Sequence, residues 1–145
     1  MANSLMQCLD KAKRKLETPA LEYQKRIFLA IPYTGVEEYS YTISEQYALK
    51  LMDEGYNVFS PILYSHHLSK KHSLPMEYEF WARLNDSIIE RWATDVYVLQ
   101  CLDWWRSRGV RHEIEVASRN GVEITFVEVL TKEWGKYVKG GPANA

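Results

Sequence analysis

A chain of 145 residues, 46% hydrophobic and 13% aromatic, carries enough apolar surface for one domain of ordinary size. Its 18 basic and 19 acidic residues leave a net charge of −1, which excludes the broad positive field of a protein that grips duplex DNA or an anionic membrane. No apolar run reaches the ~18 residues of a membrane span, and no signal-peptide core precedes the charged stretch from Asp10 to Lys15; Cys8 and Cys101 form neither a CxxC motif nor a disulfide framework, so a reducing cytoplasm is the expected compartment.

Residues 4–26 read as a polar, charged helix with sparse apolar positions at Leu5, Leu9 and Leu16, broken by Pro19 before Leu21. Residues 1–25 are therefore expected to form a helical arm or dimer contact beside the main domain. Ile27 to Ile31 is a continuous apolar run ended by Pro32, the pattern of a strand buried on both faces of a parallel sheet. After a loop at Tyr33–Val36, Ile43, Tyr47, Leu51 and Met52 share one face of a helix over about residues 40–54, which Gly55 ends. Asn57–Ser60 is a second strand, closed by Pro61. The polar stretch 61–75 reads as a loop. Met76, Phe80, Leu84 and Ile88, spaced by four, predict a helix over about 76–92. Asp95–Gln100 is a third strand, 101–108 a loop, 109–119 a helix ending at Asn120 and Gly121, and Glu123–Val127 a fourth strand. A short helix near 131–138 and a disordered tail at 140–145 complete the chain. Strands alternating with helices predict one α/β domain over residues 26–139, a parallel sheet of about five strands covered on both faces. Ligands of such sheets bind beyond the C-terminal strand ends, which here means the segments 32–39, 60–75 and 100–109.

The stretch from Asp95 to Ala117 carries the most chemical information: strand, loop, glycine, then a helix with an early glutamate. Ser107 can cap that helix through its hydroxyl. Gly109 lets backbone N–H groups approach a ligand closely. Glu113 falls within the first two turns, where the helix dipole favours an ionised carboxylate and lowers its pKa, as suits a nucleophile. Glu115 lies about 200° further round at ~100° per residue and reads as surface. His66, His67 and His72 do not form a metal site, because adjacent histidines face one ion poorly and no carboxylate or cysteine supplies ligand spacing. His66, Tyr33, Asp103 and Trp104 are instead candidate pocket residues.

Ser107, Gly109, Val110 and Glu113, followed by Ala117, resemble the signature of the nucleoside 2-deoxyribosyltransferase-like superfamily. The opening Ile27–Tyr33 and the Asp95 before an apolar strand are similar too. The likeness extends to a bacterial and phage branch through Ser65 and His66, Phe80 and Trp81, and Asp103, Trp104 and Trp105, and it covers residues 26–128. The resemblance implies a flavodoxin-like (Rossmann-like) fold and cleavage of the N-glycosidic bond of a nucleoside 5′-monophosphate or nucleoside, with transfer to another base or to water. It implies Glu113 as nucleophile and Asp86 as the acid near the leaving base. Tyr33, Phe28, His66, Asp103, Trp104, Ser107 and Gly109 would contact substrate, with Ser107 toward a 5′-phosphate. It further implies a homodimer or larger homo-oligomer, with neither cofactor nor metal. The chain departs from the family pattern at Phe28, where relatives carry tyrosine, at Ile31-Pro32 in place of Gly-Pro, and at Thr34-Gly35, where some carry arginine. These departures motivate a second reading, a non-catalytic nucleotide-binding or sensing module. A third is an interaction protein that uses its aromatic loop.

Overall fold

A computed structural model describes residues 4–10 and 24–129 of the chain. Residues 4–10 are helical and exposed; the rest of the expected arm, the helix near 131–138 and the tail at 140–145 lie outside the described residues. Strands β1 (Arg26–Ala30), β2 (Asn57–Phe59), β3 (Asp95–Gln100) and β4 (Glu123–Glu128) are parallel and lie in the order β2-β1-β3-β4. Between them run helices α1 (Glu37–Asp53), α2 (Pro61–His72), α3 (Tyr78–Arg91) and α4 (Arg108–Arg119). The α/β architecture with a covered parallel sheet is as the sequence predicts, with four strands among the described residues against an expectation of about five.

Both faces of β1 are apolar because both are covered. Ile27 and Leu29, with Leu99 of β3, pack with Ile43, Ala48 and Leu51 of α1. Phe28 and Ala30, with Val96 and Val98, pack with Ile89 of α3 and with Val110 and Val116 of α4. This is the two-residue alternation of a strand, carried by apolar side chains in both directions. From β1 the chain crosses to β2 on one side, then returns past β1 to reach β3. The loops leaving β1 and β3 therefore diverge and open a crevice at the C-terminal sheet edge. Asp95, at the start of β3, belongs to the opposite edge, where it accepts a hydrogen bond from Thr94 Oγ1 at 2.7 Å.

Helix α2 corrects the expected loop at 61–75. Ser60 Oγ accepts the Leu63 N–H at 3.2 Å and Pro61 occupies the first turn, a strong start signal. Its buried residues Ile62, Ser65, His66 and Ser69 fall at helical spacing. Only Ile62 among these is apolar, so no hydrophobic stripe announces the helix. In α3 the predicted stripe is rotated: Phe80 is exposed, whereas Asn85 and Ile89 are buried. A strict spacing of four advances ~400° and drifts ~40° round the helix at each step. α1 begins at Glu37 rather than near residue 40, with Glu37 and Glu38 at the dipole-favoured end. Among the described residues no helix is long and apolar enough to cross a membrane.

Candidate active site

The loops leaving β1 and β3, together with the early turns of α2, α3 and α4, enclose a cavity of about 470 Å³. Tyr33 comes from the β1–α1 loop, Ser65 from α2, Asn85 from α3, and Asp103, Ser107 and Glu113 from the segment after β3. That last segment is shaped by two consecutive left-handed residues, Leu102 at φ 45° and Asp103 at φ 44°. Aspartate tolerates this region, but leucine does so only at a cost of order 1–3 kcal/mol, a strain found most often at functional sites. The turn sends the chain into the short 3₁₀ segment Trp104–Arg106 and leaves Asp103 in the cavity wall.

Ser107 ends this segment and caps α4 as the sequence predicts, its Oγ accepting the Val110 N–H at 3.3 Å. Gly109 lines the cavity, and an added Cβ there would meet Tyr78 Cβ at 3.3 Å. The missing side chain thus permits the close approach of α3 and α4 as well as of a ligand. Arg108 reinforces the same junction: it pairs with Glu79 at 3.0 Å and lies over the Tyr78 ring at 5.2 Å.

Glu113 is 8% exposed. Burial lifts its carboxyl well above the usual range, the neighbouring Asp86 charge adds to the rise, and a hydrogen bond from Asn85 partly opposes it. The sequence-based expectation of a lowered pKa is therefore overturned. Glu113 sits in the second turn of α4, beyond the first turn where the dipole is strong, and desolvation outweighs what remains of it. No Lys or Arg among the described residues pairs with it.

The remaining predicted residues separate into two groups. Tyr33, Asp103, Ser107, Gly109 and Glu113 share the cavity wall. Phe28, Asp86, His66 and Trp104 do not. Phe28 is fully buried in the core against Phe59, with ring centroids 6.0 Å apart, and has no surface for a substrate. Trp104 packs on Phe126 at 5.4 Å because the left-handed turn directs it onto β4. Asp86 engages His112 Nε2 with both oxygens, at 3.0 and 2.9 Å, and acts on Glu113 through its charge. His66 stands beside the cavity and touches it through Tyr33, whose hydroxyl meets His66 Nδ1 at 2.5 Å.

Sequence reasoning missed Asn85, Tyr78 and Arg106 in the wall and His112 behind Asp86, while Trp81, quoted for the resemblance, lines the cavity without having been named as a site residue. Asn85 precedes the buried Ile89 by one helical step of four, but the predicted stripe ran through Leu84 and Ile88 instead. The others gave no local signal. Cys101 is no competing nucleophile, because burial pushes its thiol up to about 12. Among the described residues no three His, Cys, Asp or Glu side chains are grouped to hold a metal ion.

These features define a parallel α/β domain with a buried carboxyl at the topological switch point of its sheet. A family model described as Domain of unknown function (DUF1937) matches residues 25–129, and the chain belongs to that family. The match contains the whole sheet and every cavity residue named above. No curated protein matches the chain.

Proposed function

We propose that this protein is an N-glycosidase that cleaves the base–sugar bond of a nucleoside 5′-monophosphate or nucleoside, with deoxyribosyl transfer as a further capacity. The observation that carries the reading is Glu113, a buried carboxyl without a cationic partner among the described residues, facing a cavity large enough for a small ligand. The strand order β2-β1-β3-β4 supports a flavodoxin-like arrangement, and the resemblance around Ser107, Gly109 and Glu113 supports the reaction class. Action in the cytoplasm, as a homodimer or larger assembly, is part of the same reading.

Glu113 attacks the anomeric carbon, the base leaves, and the glycosyl ester passes to water or a second base. Burial makes the free carboxylate costly, so the ion forms only above the usual glutamate range. The positive charge that develops on the sugar in the transition state then supplies the counter-charge that the free site lacks, and the interaction strengthens as the bond breaks. Ser107 and the start of α4 line the cavity, and in this reading they take the 5′-phosphate of a nucleotide substrate.

The first experiment is free-base release from ribo- and deoxyribonucleosides and their 5′-monophosphates, followed by chromatography, with Glu113→Gln in parallel. Release that disappears in the variant is the expected result. No release from any substrate by folded protein would sink the glycosidase reading. The raised proton affinity of Glu113 favours one alternative, a nucleotide-binding module without turnover. That module would be stabilised thermally by nucleotides while releasing no base.

A further inference from the structure

When a nucleobase departs, the bonding electron pair stays on its ring nitrogen, and a proton donor at that nitrogen speeds the step. Asp86 is engaged by His112 and lies outside the cavity wall. A different donor is built around Tyr33. Its hydroxyl meets Nδ1 of the buried His66 at 2.5 Å. On the other side of the ring, Nε2 faces Glu38 Oε1 at 3.4 Å. Tyr41 lies against the imidazole with centroids 4.8 Å apart, and Glu38 is exposed and paired with Lys70. Tyr33 lines the large cavity, whereas His66 lines a second, more open depression beside Tyr41 and Lys70. A phenol and an imidazole, joined by one hydrogen bond, thus connect the two.

We propose that Tyr33, His66 and Glu38 form a proton relay in which Tyr33 is the acid toward the departing base. The inference rests on the N-glycosidase reading and supplies its donor. The relay has two polarities. With a carboxylate at Nε2, neutral imidazole keeps its proton there and accepts the phenol O–H at Nδ1. The phenol then offers the cavity only lone pairs. Imidazolium donates from both nitrogens, so Nδ1–H turns to the phenol oxygen and frees the phenol O–H to donate into the cavity.

In the first step Glu113 forms a bond to C1′ and the C1′–N bond breaks, its electron pair remaining on the base. Tyr33 protonates that nitrogen, and the Nδ1 proton of His66 passes to the phenol oxygen, leaving His66 neutral. In the second step water attacks C1′, Glu113 leaves as carboxylate, and the proton lost by water returns through Tyr33 to His66. Burial, together with Glu37 and Glu38, lifts the Tyr33 phenol to about 12, so it acts with its proton replaced rather than as a free phenolate. The titratable and charged groups around His66 are Tyr33 from the loop, Glu38 and Tyr41 from α1, and His67, Lys70 and Lys71 of α2. Glu38 faces the ring and itself holds Lys70.

Turnover then needs an ionised Glu113 and a proton on the relay, which gives a bell-shaped pH profile whose basic limb reports the relay. The test is kcat for base release against pH in the wild type and in Tyr33→Phe, His66→Leu and Glu38→Gln. Tyr33→Phe and His66→Leu are expected to lower kcat about 10²-fold or more and to lose the basic limb. Glu38→Gln alters an exposed side chain and is expected to move that limb to lower pH, which keeps the test valid if His66→Leu misfolds. Nitrogen-15 NMR should find the neutral His66 as the Nε2–H tautomer. An Nδ1–H tautomer overturns the relay whether or not base is released. Unchanged kcat in Tyr33→Phe, or an unmoved basic limb in Glu38→Gln, overturns the relay and leaves the glycosidase reading standing. A wild type that releases no base overturns both.

Discussion

Glu113 binds its proton more tightly in the folded chain than in the unfolded one, where glutamate titrates near ~4.3. The folded state therefore holds more protons, and stability falls as pH rises from that value through the raised folded pKa. Glu113→Gln removes this loss. The variant should melt a few degrees above the wild type at neutral pH, with the gap closing toward pH ~4. Parallel thermal melts across that range test it, and a gap independent of pH would show that the fold does not raise the proton affinity of the carboxyl. Asp86 adds to the same effect through its charge. Asp86→Asn should move the acidic limb of the base-release profile to lower pH, because the like charge that discourages ionisation of Glu113 is gone. An unmoved limb would uncouple the two carboxyls.

At the scale of elements, the junctions matter more than the helix interiors. Ser60 caps α2, the helix that carries His66, and Ser60→Ala should cost about 1 kcal/mol. Urea denaturation would measure the loss, and a change near zero would mean that packing alone holds the helix start. The capping signal of α2 was legible in Ser60 and Pro61, yet the helix was hidden by the polarity of its buried face. His66 and Ser69 satisfy a helical pattern that hydrophobic periodicity does not read. α4 was easier, because Ser107 and Val110 combine a cap with an apolar stripe that continues to Val116 and Ala117. In α3 the stripe was legible but its phase was not: the choice between Leu84 and Asn85 as the inward residue is settled by the neighbouring helix, not by α3.

The whole molecule rests on one sheet with an apolar layer on each face. Ile89 is fully buried in the layer shared by α3 and α4, and Ile89→Ala should lower stability by about 2–5 kcal/mol. Denaturant titration would show it, and a loss well below that range would mean the layer collapses around the gap. The sequence by itself determined the α/β class, the strand-helix alternation, the cap at Ser107 and the placing of Glu113 beyond the end of β3, because apolar periodicity and capping chemistry act between near neighbours in the chain. Only the tertiary structure decided that burial raises the proton affinity of Glu113, that Asp86 turns to His112 across 26 positions, and that Tyr33 meets His66 across 33. Desolvation and long-range pairing depend on which helices cover the sheet and how closely they approach, and no local pattern encodes that distance.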